Sequence, residues 1–247
     1  MFEYYNSMNY IFFLPISFGG NPSSESGPRA VYNEIKNMDE FKDCALFLIE
    51  PKFDESPKTY MVKVNKLLNR ILDKCDSKCC VIGGNHLSIL PVYQYIVDKN
   101  NTANILVLDA HRDYYPQTEL NHATFLSFVK KIYNKIVLVG CRDNGNHSCV
   151  LDKCKVIYRS KYNSINQLSL DNIDLLDIDL DVIDEKEFSS YSDYLENGLS
   201  IKDVKDLICF SKEQGNCILS ISEYVPLFDN GLNDLFKIIE MVNLFFQ

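Results

Sequence analysis

Seven short apolar runs, most of them rich in β-branched residues, recur along the chain with stretches of helical period between them. They cover residues 11–14, 44–49, 80–82, 105–108, 136–139, 175–181 and 217–221. Runs that are apolar at nearly every position, rather than at alternate ones, belong to strands covered on both faces. The intervening periodic segments, 28–37, 59–73, 89–99, 123–133, 201–212 and 232–246, predict helices, the first begun by a proline after Gly27. Strand and helix in alternation predict an α/β fold in three layers, α-β-α, around a central, mostly parallel sheet. No repeat or low-complexity linker divides it, so residues 1–247 are expected to form a single domain.

In such sheets ligands bind beyond the carboxyl ends of the strands. Polar, metal-competent residues gather there repeatedly. The run 80–82 leads into Gly83, Gly84, Asn85 and His86. The run 105–108 leads into Asp109, Ala110, His111, Arg112 and Asp113. The sixth run carries Asp177, Asp179 and Asp181, and the last leads into Ser222 and Glu223. Of four histidines, three (His86, His111 and His122) lie at or just past these ends.

Residues i and i+2 of an extended chain share a side, so Asp109, His111 and Asp113 are expected to converge, and Asp179 with Asp181 likewise. Carboxylates held this close repel one another unless a cation neutralises them. Four of them balance two divalent ions, and hard oxygen donors with two imidazoles suit manganese or a similar first-row ion. Two such ions would share a bridging hydroxide that is nucleophilic at neutral pH. Either motif alone is more often a solvated loop or a helix cap; their joint occurrence on one parallel sheet favours a site.

Composition narrows the function further. The formal net charge of −9 argues against general nucleic-acid binding. No apolar run approaches the ~20 residues of a membrane helix, and no basic segment precedes the first apolar stretch as in a signal peptide. Nine cysteines, an odd number, read as free thiols of a reducing cytoplasm. Cys75, Cys79 and Cys80 lack a second cluster at zinc-site spacing. His147 reads as an exposed loop residue.

With these residues in place the chain resembles the ureohydrolases, the family of arginase and agmatinase. Gly83-Gly84-Asn85-His86 is similar to that family's Gly-Gly-Asp-His, and Asp109-Ala110-His111-Arg112-Asp113 to its Asp-Ala-His-x-Asp. His122-Ala123 stands for a His-Gly segment, residues 177–185 for Ser-x-Asp-x-Asp-x-x-Asp-Pro, and residues 223–229 for Glu-x-Asn-Pro-x-x-Asp. Gly27-Pro28-Arg29-Ala30 and Gly140-Cys141-Arg142 are weaker matches, and the whole runs in order from about residue 10 to the C-terminus. The departures are Asn85 for Asp, Asp177 for Ser, Glu185 for Pro, Val225 for Asn and Ala123 for Gly. None removes a ligand position.

The resemblance implies an arginase-like fold and two Mn(II) ions per chain. One would be held by His86, Asp109, Asp113 and Asp179, the other by His111, Asp109, Asp179 and Asp181, with Asp109 and Asp179 shared. It implies attack of a metal-bridging hydroxide on a guanidino carbon, releasing urea and a primary amine. Asp113 would hydrogen-bond the hydroxide, Glu223 would hold the guanidinium, and His122 would shuttle a proton or steady the leaving amine. Tyr114 and Tyr115 offer aromatic walls to the substrate.

The segment between Asp113 and His122 is shorter than in arginases and looks more like agmatinase. The expected partner is a small guanidino molecule of agmatine or arginine type. A short rim also leaves open an arginine side chain within a peptide, converted to ornithine. Cleavage of another amidine or amide, as in formiminoglutamase, is a further alternative, and a non-catalytic metal-binding protein another. The family's habit of assembling allows a homo-oligomer, although no interface motif can be read in the chain.

Overall fold

The computed structural model describes residues 8–18, 20, 22–72, 77–100, 102–114, 119–129, 135–142, 154–168, 170–192 and 196–247. Among these residues, eight parallel strands form one sheet: β1 (Asn9–Leu14), β2 (Cys44–Leu48), β3 (Cys79–Gly83), β4 (Asn104–Leu108), β5 (Lys135–Cys141), β6 (Cys154–Tyr158), β7 (Leu175–Asp179) and β8 (Ile218–Ser222). Their order is β2-β1-β3-β8-β7-β4-β5-β6. The seven expected runs all become strands. The edge strand β6 was not expected.

The core splits into two apolar layers because successive side chains of a strand point to opposite faces. On one face Ile11, Phe13, Ile82, Leu106, Leu108, Leu176 and Ile178 pack against α1 (Ser26–Ile35), α5 (Ile201–Glu213) and α6 (Asn233–Phe246). On the other, Phe12, Val81, Val107 and Leu175 pack against α2 (Pro57–Leu72) and α3 (Leu90–Lys99). The arrangement is a three-layer α-β-α fold. No helix among the described residues is long and apolar enough to cross a membrane.

Helix α5 starts where Ser200 and Asp203 form a reciprocal capping box. Of the helix expected at 123–133, the described residues show α4 (Phe125–Phe128). Val129 leaves it with extended backbone, and residues 130–134 lie outside those described. Cys79 and Cys80 are buried thiols of β3, whereas Cys75, like His147, lies outside the described residues.

Two glycines hold the strand ends close. A Cβ on Gly84 would lie 2.0 Å from the Ile16 carbonyl oxygen, and the Gly84 carbonyl accepts the Glu223 amide at 2.7 Å. The residue after β3 is thus wedged between the ends of β1 and β8. Gly84→Ala is expected to cost about 1–3 kcal/mol, because a backbone atom cannot yield as a side chain can. Thermal unfolding should show a melting point lower by several degrees; an unchanged value would mean that the turn shifts freely. Gly140 has φ +101 at a register shift in β5, and a Cβ there would meet Val182 at 2.3 Å.

Candidate metal centre

The four neighbouring strands β3, β8, β7 and β4 end side by side. Strands lie about 4.8 Å apart, so side chains at their carboxyl ends meet within a few ångströms. His86 follows β3, Glu223 follows β8, Asp179 ends β7, and Asp109 follows β4. Asp109 meets both His111 and Asp113, though not through a continued strand, while Asp179 and Asp181 fall in different groups. β4 stops at Leu108, the chain bends at Ala110 and His111, and Asp113 takes φ +46. After Asp179 a 3-10 turn, Leu180–Val182, carries Asp181.

Among the described residues, two groups of side chains could each hold a cation. His86, Asp109, Asp113 and Asp179 form the first, and Asp109, His111 and Asp181 the second; within each, the ligand atoms lie within 4.8 Å of one another. Asp109 belongs to both. Asp179 belongs to the first alone, whereas the resemblance had placed it in both; its Oδ1 instead accepts the Asp181 amide at 3.1 Å.

His86 Nδ1 faces Asp113 Oδ2 at 2.7 Å, Asp179 Oδ2 at 3.2 Å and Asp109 Oδ2 at 3.4 Å. His111 Nδ1 lies 2.7 Å from Asp181 Oδ2. Asp181 Oδ1 accepts the Ala110 amide at 3.1 Å, and Asp109 Oδ1 accepts the His111 amide at 2.6 Å. Arg142 at the end of β5 donates to the carbonyls of Asp181 and Val182, clamping the turn that carries Asp181. The ion pairs these four carboxylates make, among the described residues, are with His86 and His111 and not with Lys or Arg.

Electrostatics express the crowding. Burial, then the neighbouring Asp113, pushes Asp109 up to about 7. Burial, then Asp181, pushes Asp179 up to about 8. Burial opposes the imidazolium of His86, but Asp177, Asp109 and Asp113 outweigh it and hold the ring well above its ordinary value. For His111 burial is likewise outweighed, chiefly by Asp181, giving about 10. Asp181 is the exception: burial would raise it, yet His111, the Ala110 amide and Arg142 carry it below the ordinary value.

A pH dependence follows for the metal-free protein. Between about 4, where unfolded carboxylates titrate, and the raised folded values, Asp109 and Asp179 keep protons that the unfolded chain has released, so rising pH favours unfolding. What His86 and His111 contribute is complete below about 6.5 and is also lost as pH rises toward their raised folded values. Asp181 has the opposite sign, its contribution being lost only as pH falls below about 4. With chelator present, the melting temperature is expected to fall by several degrees from about pH 5 to about pH 8, and a divalent cation should remove that slope. A flat profile without metal would contradict the crowding.

Glu223 is 7% exposed and has φ 71. Its Oε1 accepts the His86 amide at 2.9 Å, while Oε2 is buried without a hydrogen-bond partner. Burial, then Asp179, holds its carboxyl well above the ordinary range. Together with Asp113 (φ +46), it is one of two site carboxylates in the left-handed region, where non-glycine strain is stored at functional sites.

These groups open onto a cavity lined by His111, Asp113, His122, Ala123, Asp179, Asp181, Tyr191, Ser192 and Glu223. Tyr191 and Ser192 carried no sequence signal. Tyr191 donates to the Ile183 carbonyl at 2.9 Å, which fixes its ring. Tyr114, expected as a wall of the substrate site, is not among the cavity-lining residues; its half-buried ring packs against the apolar layer beneath α2 and α3. Tyr115 lies outside the described residues. Asn85 is buried, donates to the Phe18 carbonyl at 2.9 Å, and leaves its own oxygen unpartnered.

Fold and site together define a three-layer α/β scaffold with acids and histidines massed at its strand ends. The sequence model of the arginase family matches residues 14–238. The chain belongs to the arginase family, whose members are hydrolases acting on amidino carbon–nitrogen bonds. Solved structures agree in fold. Agmatine ureohydrolase of Thermoplasma volcanium superposes with a TM-score of 0.83 at 17% identity, covering 98% of this chain and 90% of that one. Arginase from Bacillus subtilis gives 0.81 at 17%, covering 97% and 98%. Formimidoylglutamase from Bacillus subtilis gives 0.80 at 15%, covering 98% and 86%. Among curated protein sequences none matches the chain.

Proposed function

We propose that this chain is a ureohydrolase that carries two Mn(II) ions and cleaves a guanidino group to urea and a primary amine. The donor set fits such ions: oxygen-rich, with two imidazoles, and with Asp109 Oδ2 buried and lacking any hydrogen bond. The ions would be held by His86, Asp109, Asp113 and Asp179 and by His111, Asp109 and Asp181. Divalent cations there would supply charge neutralisation, Lewis-acid polarisation and acidification of water.

The observation that carries the substrate class is Glu223. A buried carboxyl with one oxygen engaged by the His86 amide and the other unpartnered, on the wall of the cavity, is suited to a cationic guanidinium. Binding that cation would restore the ionised form and add charge-assisted hydrogen bonds. Asp113 lines the same cavity and can hold a proton from the attacking water. His122, a half-buried member of the same lining, would deliver a proton to the departing amine. The net negative charge favours approach of cationic substrates.

The test is urea release by Mn(II)-loaded protein from agmatine, arginine, guanidinobutyrate and an arginine-containing peptide, with formiminoglutamate alongside. Urea from at least one guanidino compound is expected. None from any of them would remove the proposal, and turnover of formiminoglutamate alone would reassign the bond that is cut.

A further inference from the structure

We infer that Asp177 is the positioning residue that fixes how His86 presents its cation-facing nitrogen, and that it acts on one of the two cation positions only. The inference rests on the dinuclear reading above. Asp177 and His86 are both wholly buried. Asp177 Oδ2 lies 2.9 Å from His86 Nε2 and accepts the Tyr93 hydroxyl at 2.6 Å, and Oδ1 accepts the Ser220 hydroxyl at 2.6 Å. Tyr93 comes from α3, and Ser220 is the register partner of Asp177 on β8. Three elements therefore hold one carboxylate in place.

The other ring nitrogen, Nδ1, faces Asp113, Asp179 and Asp109. An imidazole that gives its Nδ1 lone pair to a cation carries its proton on Nε2, and a fixed acceptor there sets the tautomer and the ring plane. Asp177 belongs to neither ligand group. It reaches the site through His86, and the ring of Phe125, 4.7 Å from the imidazole, walls one side of it.

The experiment is titration of the metal-free full-length chain with Mn(II), reading free ion by electron paramagnetic resonance. The unaltered chain should take up two equivalents. Asp177→Asn is expected to weaken one of the two by roughly 10–100-fold and leave the other unchanged. In a His111→Ala background, which keeps only the His86 group, it should weaken the one remaining ion. Tyr93→Phe removes a single donor to Asp177 and should weaken the same ion by a smaller factor; it decides the matter should Asp177→Asn fail to fold by circular dichroism. Equal weakening of both ions, isotherms like that of the unaltered chain, or fewer than two equivalents in the unaltered chain would overturn the assignment. No substrate is present, so two bound ions without urea release would remove the ureohydrolase proposal and leave this one standing.

Discussion

Asp109→Ala is expected to leave neither cation position properly formed and to lower kcat/KM by on the order of 10³ or more, beyond the 10–100-fold typical of partners that only hydrogen-bond a ligand. Asp109 is the residue common to both groups of donors, and its Oδ2 has no hydrogen bond to lose. Asp181→Ala should be more selective. It removes one member of the second group, so one ion should be lost and the other kept, with activity falling while the fold survives. Fold survival has a physical basis: Asp109→Ala takes a carboxylate held above its ordinary value out of a crowded set, so without metal it should be no less stable than the parent, whereas Asp181→Ala also gives up the His111 and Ala110 partners and should melt lower while still folding. Metal content per chain, measured beside kcat/KM and thermal unfolding, checks all three statements. Asp181→Ala that retains two ions and full turnover would count against the assignment.

Glu223→Gln should behave differently, keeping both ions and losing turnover. The amide is isosteric and can still accept the His86 amide hydrogen, so the turn after β8 is preserved. It cannot carry the charge that a guanidinium pairs with. Hydrogen bonds to charged groups contribute about 1.5–3 kcal/mol, which corresponds to a loss of up to roughly 10²-fold in kcat/KM. Steady-state kinetics with the best guanidino substrate, alongside metal analysis, separates the two variants. Unaltered kcat/KM in Glu223→Gln would place guanidinium recognition elsewhere.

Much of this architecture is legible in the chain because central parallel strands are apolar on both faces. Residues 105–108 and 80–82 could be little else, and the polar groups that follow them mark the strand ends directly. β6 was harder. Its sequence, with Lys155 and Tyr158 among apolar residues, belongs to a sheet edge, where one side stays open and the apolar signal weakens. The convergence of Asp109, His111 and Asp113 could be read from residue type, but not its geometry. Period-2 reasoning assumes extended chain, whereas a bend and the positive φ of Asp113 make the approach.

Residues that act over long sequence distances were invisible for the same reason. Tyr93 and Ser220 lie 84 and 43 positions from Asp177, and only the sheet register and the seating of α3 bring them to it. Tyr114 is the converse case. An aromatic next to a site residue looks like a substrate wall, yet burial of its ring against the apolar layer won over exposure to the cavity.

The proposed centre is a pair of divalent ions sharing one buried acidic site. Anomalous-difference diffraction near the manganese absorption edge, from crystals grown with Mn(II), tests this most directly. It should show two peaks per chain, one against His86 Nδ1 and one against His111 Nδ1, with Asp109 touching both. A map with no peak among these residues, or with manganese bound only elsewhere on the surface, would contradict it.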